Sequence, residues 1–323
     1  DPSVVGRNQK SLVFFIGDPA MKLAIAKSEI RLTAVNDVPL VEQTEPLKAL
    51  DRVKMSGEVY DSSGNFLSNY NGIVTATVLD KEIERQTLAN DGTTDNGQLI
   101  SLDFKTLGET MFKGQATVTN GKFDFEFVVP RDIGIPIGQG KVAFYSKQDN
   151  ILSDKSGYSF DIQVGGINEN AEEDNIGPVI NLFMNDENFV SGGITNEQPA
   201  LIARLQDNNG INTASGIGHD ITAIIDDDES NPFVLNDYYE ANIDDYQNGK
   251  LSYPFRDLEP GLHTLTLKAW DVYNNSSTAQ IEFNVRDKDD ELVITNVLNY
   301  PNPFIDYTEF WFNHNSSDVL DVS

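Results

Sequence analysis

From about residue 29 onward, apolar side chains recur at every second position in short runs, and each run ends in a cluster of Asn, Asp or Gly. In an extended chain successive side chains point to opposite faces, so such a run can bury one face and leave the other in water. Val53, Met55, Gly57 and Val59 alternate before the turn Asp61-Ser62-Ser63-Gly64-Asn65. Ile73 to Leu79 sets Val74, Ala76 and Val78 on one face and Thr75 and Thr77 on the other. Phe123, Phe125 and Phe127 follow Asn120-Gly121, a dipeptide that suits the left-handed positions of a tight hairpin turn. No long stretch keeps helical i, i+3, i+4 spacing, and only one turn, near Asn236 to Tyr239, reads as helical.

Many short alternating strands separated by turn residues predict an all-β chain of tandem immunoglobulin-like β-sandwiches. The first occupies 29–165 and closes with Val142 and Phe144, then Phe160, Ile162 and Val164. An acidic linker, 166–176, follows. The second occupies 177–288, with core faces at Leu201, Ala203 and Leu205, at Ile221, Ala223 and Ile225, at Leu265, Leu267 and Ala269, and at Ile281, Phe283 and Val285. Asn120-Gly121-Lys122 and Asn248-Gly249-Lys250 stand at matching places in the two units, which predicts two copies of one topology.

The first segment differs. Leu12-Val13-Phe14-Phe15-Ile16 is a continuous apolar run broken by Gly17-Asp18-Pro19, the pattern of a strand buried on both faces in an α/β sheet. Residues 1–28 therefore read as the tail of a preceding α/β domain. Residues 289–323 read as the start of a further β-domain, and both ends of the chain read as cut.

The 323 residues carry 51 Asp+Glu against 23 Lys+Arg, a formal net charge of −28. A surface of that sign repels phosphate backbones and excludes nucleic acid as a partner. It attracts cations, Ca²⁺ included. Cysteine is absent, which excludes a thiol nucleophile, a disulfide framework and thiolate-held metal within these residues. No apolar run reaches the about 18 residues of a membrane-spanning helix.

Few residues offer chemistry. The histidines are His219, His263 and His314. His219 precedes Asp220, but neighbours on a strand face opposite ways, so a hydrogen-bonded histidine in a Gly-rich turn is favoured over a catalytic pair. His263 reads as a surface or rim residue. No HExxH or nucleophile elbow occurs. Asp226-Asp227-Asp228-Glu229 is the densest carboxylate run; it reads as a solvated acidic loop, with calcium ligation as the sharper alternative. Asn90 to Gly97 alternates Asp and Asn, which turn chemistry explains equally well. Tyr238, Tyr239 and Trp270 could form a contact surface, or Tyr238 or Tyr239 could simply cap an open sandwich edge.

Several segments resemble one family. Phe15-Ile16-Gly17-Asp18-Pro19-Ala20-Met21-Lys22-Leu23-Ala24 is similar to the end of the caspase-like catalytic domain of gingipain-type cysteine peptidases. Gly216-Ile217-Gly218-His219-Asp220-Ile221, Leu235-Asn236-Asp237-Tyr238-Tyr239, Glu259 to Leu265 and Ala269 to Ser276 resemble the β-domains of the gingipain-like sortases of the type IX secretion system in Bacteroidetes. Asn299-Tyr300-Pro301-Asn302-Pro303-Phe304 and Phe310 to Asn315 resemble the opening of that family's C-terminal sorting domain. The resemblance implies an intact cell-surface peptidase that removes sorting domains from secreted cargo and joins the new carboxyl end to a lipopolysaccharide-type amine. It implies secreted cargo and an outer-membrane β-barrel carrier as protein partners. The family's His–Cys dyad lies in the caspase-like domain and has no counterpart here, so this region is non-catalytic and needs no cofactor, calcium apart. An adhesin or carbohydrate-binding stalk built from the same modules is the alternative, and binding on a glycan array would distinguish it.

Overall fold

The structure, a computed structural model, describes residues 28–41, 44–147, 154–214, 218–286 and 294–314. The expected α/β tail at 1–28 lies outside them, apart from Ser28. The first unit contains β1 (Ile30–Val35), β2 (Val38–Pro39), β3 (Leu47–Ala49), β4 (Arg52–Val59) and β5 (Gly72–Leu79). A projecting arm follows, with β6 (Ile83–Gln86), β7 (Thr94–Asp95), β8 (Gln98–Leu99) and β9 (Asp103–Thr106). The unit resumes with β10 (Thr110–Val118), β11 (Lys122–Val128), β12 (Gly138–Lys147) and β13 (Asp154–Ile167). The second unit contains β14 (Val179–Met184), β15 (Gly193–Thr195), β16 (Ala200–Gln206), β17 (Thr222–Ile225) and β18 (Phe233–Val234). After a 3₁₀ turn at Asn236–Tyr238 come β19 (Tyr239–Ile243), β20 (Asp245–Pro254), β21 (Gly261–Trp270) and β22 (Ser276–Val285). A separate hairpin, β23 (Ile294–Tyr300) and β24 (Glu309–His314), ends the described chain.

The two sandwiches share a sheet. Nine strands run in the order β14-β16-β20-β19-β10-β5-β12-β13-β3. The half around β5 is covered by the four-stranded sheet β11-β4-β1-β2, and the half around β16 by the five-stranded sheet β15-β22-β21-β17-β18. Alternation decides which faces meet. Val53, Met55, Val59, Val74, Ala76, Val78, Phe125, Phe127, Val142 and Phe144 fill the first core. Leu201, Ala203, Leu205, Leu251, Leu265, Leu267, Ile281 and Phe283 fill the second.

The halves join where β10 lies parallel to β19, pairing Gly114 with Ala241 and Gln115 with Ile243. Gly114 makes that approach possible, because a β-carbon there would sit 2.5 Å from the Phe112 ring and 3.1 Å from the Ala241 methyl. The Asp244 amide donates to the Gln115 carbonyl at 2.9 Å. The Thr117 amide donates to the Asp244 carboxylate at 2.8 Å, and the Thr213 hydroxyl donates to the Thr110 carbonyl at 3.0 Å. A small third core of Val128, Val272 and Tyr273 closes the seam.

Four expectations change. Asn120 and Gly121 do form a tight turn, both at positive φ (53° and 78°), but its flanking strands enter different sheets: β10 pairs with β5, and β11 with β4. The turn passes the chain across the sandwich so that Phe123 and Phe125 meet Phe144 edge-on from the facing sheet. Asn248-Gly249-Lys250 is not a turn; it lies inside β20. Gly249 is there for space, since a β-carbon would meet the Tyr239 hydroxyl at 2.3 Å. Phe160 faces outward, because the β12–β13 register slips between Gly140 and Val142 and returns the inward alternation at Ile162. The polar stretch after Val164 begins as strand, since β13 runs on to Ile167.

Gly249→Ala should destabilise the chain by about 1–3 kcal/mol through overpacking against the Tyr239 ring. Urea denaturation checks this; an unchanged midpoint contradicts the assigned close approach.

Candidate functional site

β11 is an edge strand, bonded to β4 on one side only. The Val59 amide donates to the Gly121 carbonyl at 2.8 Å, and the Val129 amide donates to the Asp51 carbonyl at 2.9 Å. The antiparallel register therefore turns the odd-numbered backbone groups toward β4 and those of Asp124 and Glu126 away from it. Their side chains are exposed as well. Along this free edge, between β11 and the β10–β19 seam, runs a groove of about 720 Å³. Glu58, Asp124, Glu126, Asp244 and Asp245 line it against one lysine, Lys122. Phe112 and Tyr246 supply apolar surface. Glu58 already accepts the Tyr60 hydroxyl at 2.7 Å and faces the Lys122 ammonium at 3.2 Å; Asp244 is occupied by Thr117. Glu126 has a 4.0 Å approach from Arg52, and both Asp124 and Glu126 favour the charged form of Lys54.

A second polar assembly clasps the units together. Asp132, in the first unit, faces His219 Nδ1 at 2.7 Å. It also accepts the side-chain amides of Asn212 at 2.9 Å and Asn274 at 2.8 Å. The His219 ring packs 4.4 Å from the Trp270 ring. His219 thus takes its carboxylate from a residue distant in sequence and not from Asp220. Asp132 thereby links the first unit to His219, Asn212 and Asn274 of the second.

Asp226-Asp227-Asp228-Glu229 forms the turn after β17, with Asp226 and Asp227 at positive φ (52° and 58°). Asp226 accepts the Thr264 amide at 2.9 Å and faces His263 Nδ1 at 2.7 Å. Asp228 accepts the Ser230 amide at 3.1 Å and the Asn231 side chain at 2.8 Å. Two of the four carboxylates therefore already have protein donors. Asp91, in the other candidate stretch, accepts the Thr93 amide at 3.1 Å at the tip of the projecting arm. Gly216 and Ile217 lie outside the described residues. Tyr238 is exposed, whereas Tyr239 is buried and caps no edge. His263 is half-buried, and its ring stacks 5.6 Å from Phe283.

Sequence reasoning missed Asp132 and a group of three carboxylates, Asp174, Asp207 and Asp271, whose oxygens lie within 4.8 Å of one another. Burial pushes the Asp207 carboxyl up to about 6, with Asp271 and Asp174 adding to the rise and the Asn209 and Gly210 amides opposing it. Burial likewise raises Asp271. Asp207-Asn208-Asn209-Gly210 and Asp271-Val272-Tyr273-Asn274-Asn275 are visible as turn sequences; their convergence is a property of the fold.

Fold and site together define a pair of β-sandwiches joined through a shared sheet, with an acidic edge-strand groove at their junction. No protein-family model matches the chain, and no curated protein matches it. Among solved structures it is similar to dimeric latent PorU from Porphyromonas gingivalis, at 32% identity over 94% of this chain and with a TM-score of 0.48. The chain spans 28% of that protein's length. A complex of Dpr2 Ig1-Ig2 with DIP-Theta Ig1-Ig3 matches at 10% identity over 75% of this chain and 94% of that one, with a TM-score of 0.18. No helix among the described residues is long and apolar enough to cross a membrane.

Burial opposes the His263 imidazolium more than any single group favours it, but hydrogen bonds to the Glu259 carbonyl and to Asp226 together raise its pKa. The stabilisation is fully present below the unfolded value of about 6.5 and fades as pH rises through the higher folded value. Asp226→Asn should flatten that fall in unfolding midpoint between about pH 6 and 8. An unchanged profile in the variant contradicts the pairing.

Proposed function

We propose that this chain is a non-catalytic docking region of an exported, cell-surface gingipain-like sortase, and that it holds an extended, basic segment of a protein partner along β11. The observation that carries the docking role is the free backbone edge of Asp124 and Glu126 beside an acidic groove. An extended segment laid there continues the four-stranded sheet through main-chain hydrogen bonds, and alternate Lys or Arg side chains meet the carboxylates. The −28 charge of the chain speeds capture of such a segment over distances of about a Debye length.

The family reading rests on the segments around His219, Tyr238, Trp270 and Tyr300 that resemble gingipain-like sortases of the type IX secretion system. The sequence of this region contains no cysteine. In this reading the peptidase domain lies elsewhere in the protein and removes sorting domains from secreted cargo. The sandwiches buttress that domain and present cargo, or an outer-membrane β-barrel carrier, to it.

The test uses a labelled extended peptide of alternating Lys and Val and its Glu counterpart. The cationic peptide should bind, and binding should weaken with salt. Glu126→Pro should weaken it by about tenfold while leaving the unfolding midpoint unchanged, because the lost amide faces away from β4. Equal binding of the two peptides, or no effect of the proline, contradicts strand addition at β11.

A further inference from the structure

We propose that Asp174, Asp207 and Asp271 form a calcium site at the junction of the two sandwiches. The site stands apart from the β11 groove and does not depend on docking there. Its ligands come from three parts of the chain: the stretch after β13, the loop after β16 and the loop after β21. Asp207 is 7 % exposed and Asp271 is fully buried.

Three carboxylates at such separations repel one another strongly once water is excluded, unless a proton or a cation stands among them. Among the described residues no Lys, Arg or His forms a salt bridge with any of the three. The Arg131 guanidinium is engaged elsewhere, over the Tyr273 ring at 5.5 Å.

The hydrogen bonds present orient the carboxylates without neutralising them. Asp207 Oδ1 accepts the Asn209 amide at 2.8 Å. Asp271 Oδ1 accepts the Tyr273 and Asn275 amides at 2.9 and 2.7 Å, and Asp271 Oδ2 accepts the Asn275 side chain at 2.8 Å. Asp174 accepts the Ile176 amide at 3.0 Å and the Asn209 side chain at 2.6 Å.

A second observation is independent of the carboxylates. The Tyr239 hydroxyl is buried and has no hydrogen-bond partner in the protein. It lies over Gly249, two residues from Gln247, whose carbonyl accepts the Asp207 amide at 2.8 Å. Burial raises the pKa of Tyr239, and the charges on Asp245 and then Asp207 add to the rise. A buried phenol without a partner is rare, and a water in the shell of an ion at Asp207 would supply one. The donor set is all oxygen, with neither His nor Cys, which selects a hard cation; the irregular spread of ligands over three loops suits calcium better than the strict octahedron of magnesium.

The 323-residue chain is melted with excess calcium chloride and with EDTA. At calcium about 100-fold above its Kd the unfolding midpoint should rise by about 4–5 °C. Terbium should give luminescence sensitised by tyrosine, and calcium should displace it. Asp207→Asn should abolish both signals. Asp174→Asn keeps the turn acceptor and is only half-buried, so it tests the site should the buried variant fail to fold; it should weaken terbium binding at least about tenfold. The double variant Asp227→Asn/Glu229→Gln should keep both signals. Equal midpoints in calcium and EDTA overturn the proposal. So do signals that survive Asp174→Asn and vanish in the Asp227→Asn/Glu229→Gln variant, which would move the ion to the turn after β17.

Discussion

The parallel contact of β10 with β19 is the constraint on which the rest depends. Two sandwiches tethered by a polar stretch would tumble separately by default. Here a main-chain ladder, short because only Gly114 lets the strands close, makes one sheet of both halves. A hydrogen-bonded sheet has few ways to bend at a single pair of strands. Side chains on opposite units are therefore held in fixed relation: Thr117 against Asp244, Asp132 against Asn274, and Arg52 against the Tyr246 hydroxyl.

That fixed relation explains why polar chemistry gathers at the junction. Loops after β16 and β21 point toward the first unit because the shared sheet sets their direction. The groove exists because β11 crosses to the facing sheet after Asn120-Gly121, leaving its edge beside the seam. The negative charge of the chain is not spread evenly, since the groove concentrates five carboxylates against Lys122. Such a surface carries a negative potential at the junction of the two units.

Much of this was legible in the residues. Period-two alternation is a local property, so the inward faces at Val53, Met55, Val74, Leu201, Leu265 and Phe283 could be read one strand at a time, and all are buried. The 3₁₀ turn at Asn236–Tyr238 was legible as well. What escaped is non-local. Nothing near Phe160 announces the slip that turns it outward, because a bulge is set by the register of the neighbouring strand. Asn248-Gly249 has the composition of a turn, yet the glycine serves a ring that arrives from β19. His219 was legible as a hydrogen-bonded histidine, but its partner, Asp132, lies in the other sandwich and has no local signal.

The central claim is that both units move as one body. The chain has no cysteine, so Tyr145→Cys on β12 and Ser252→Cys on β20, both at exposed positions, place one spin label in each half without interference. Pulsed electron–electron resonance should give a single narrow distance distribution, unchanged by salt. A broad distribution, or one that Gly114→Val leaves unaltered, contradicts a junction built on the approach of β10 to β19.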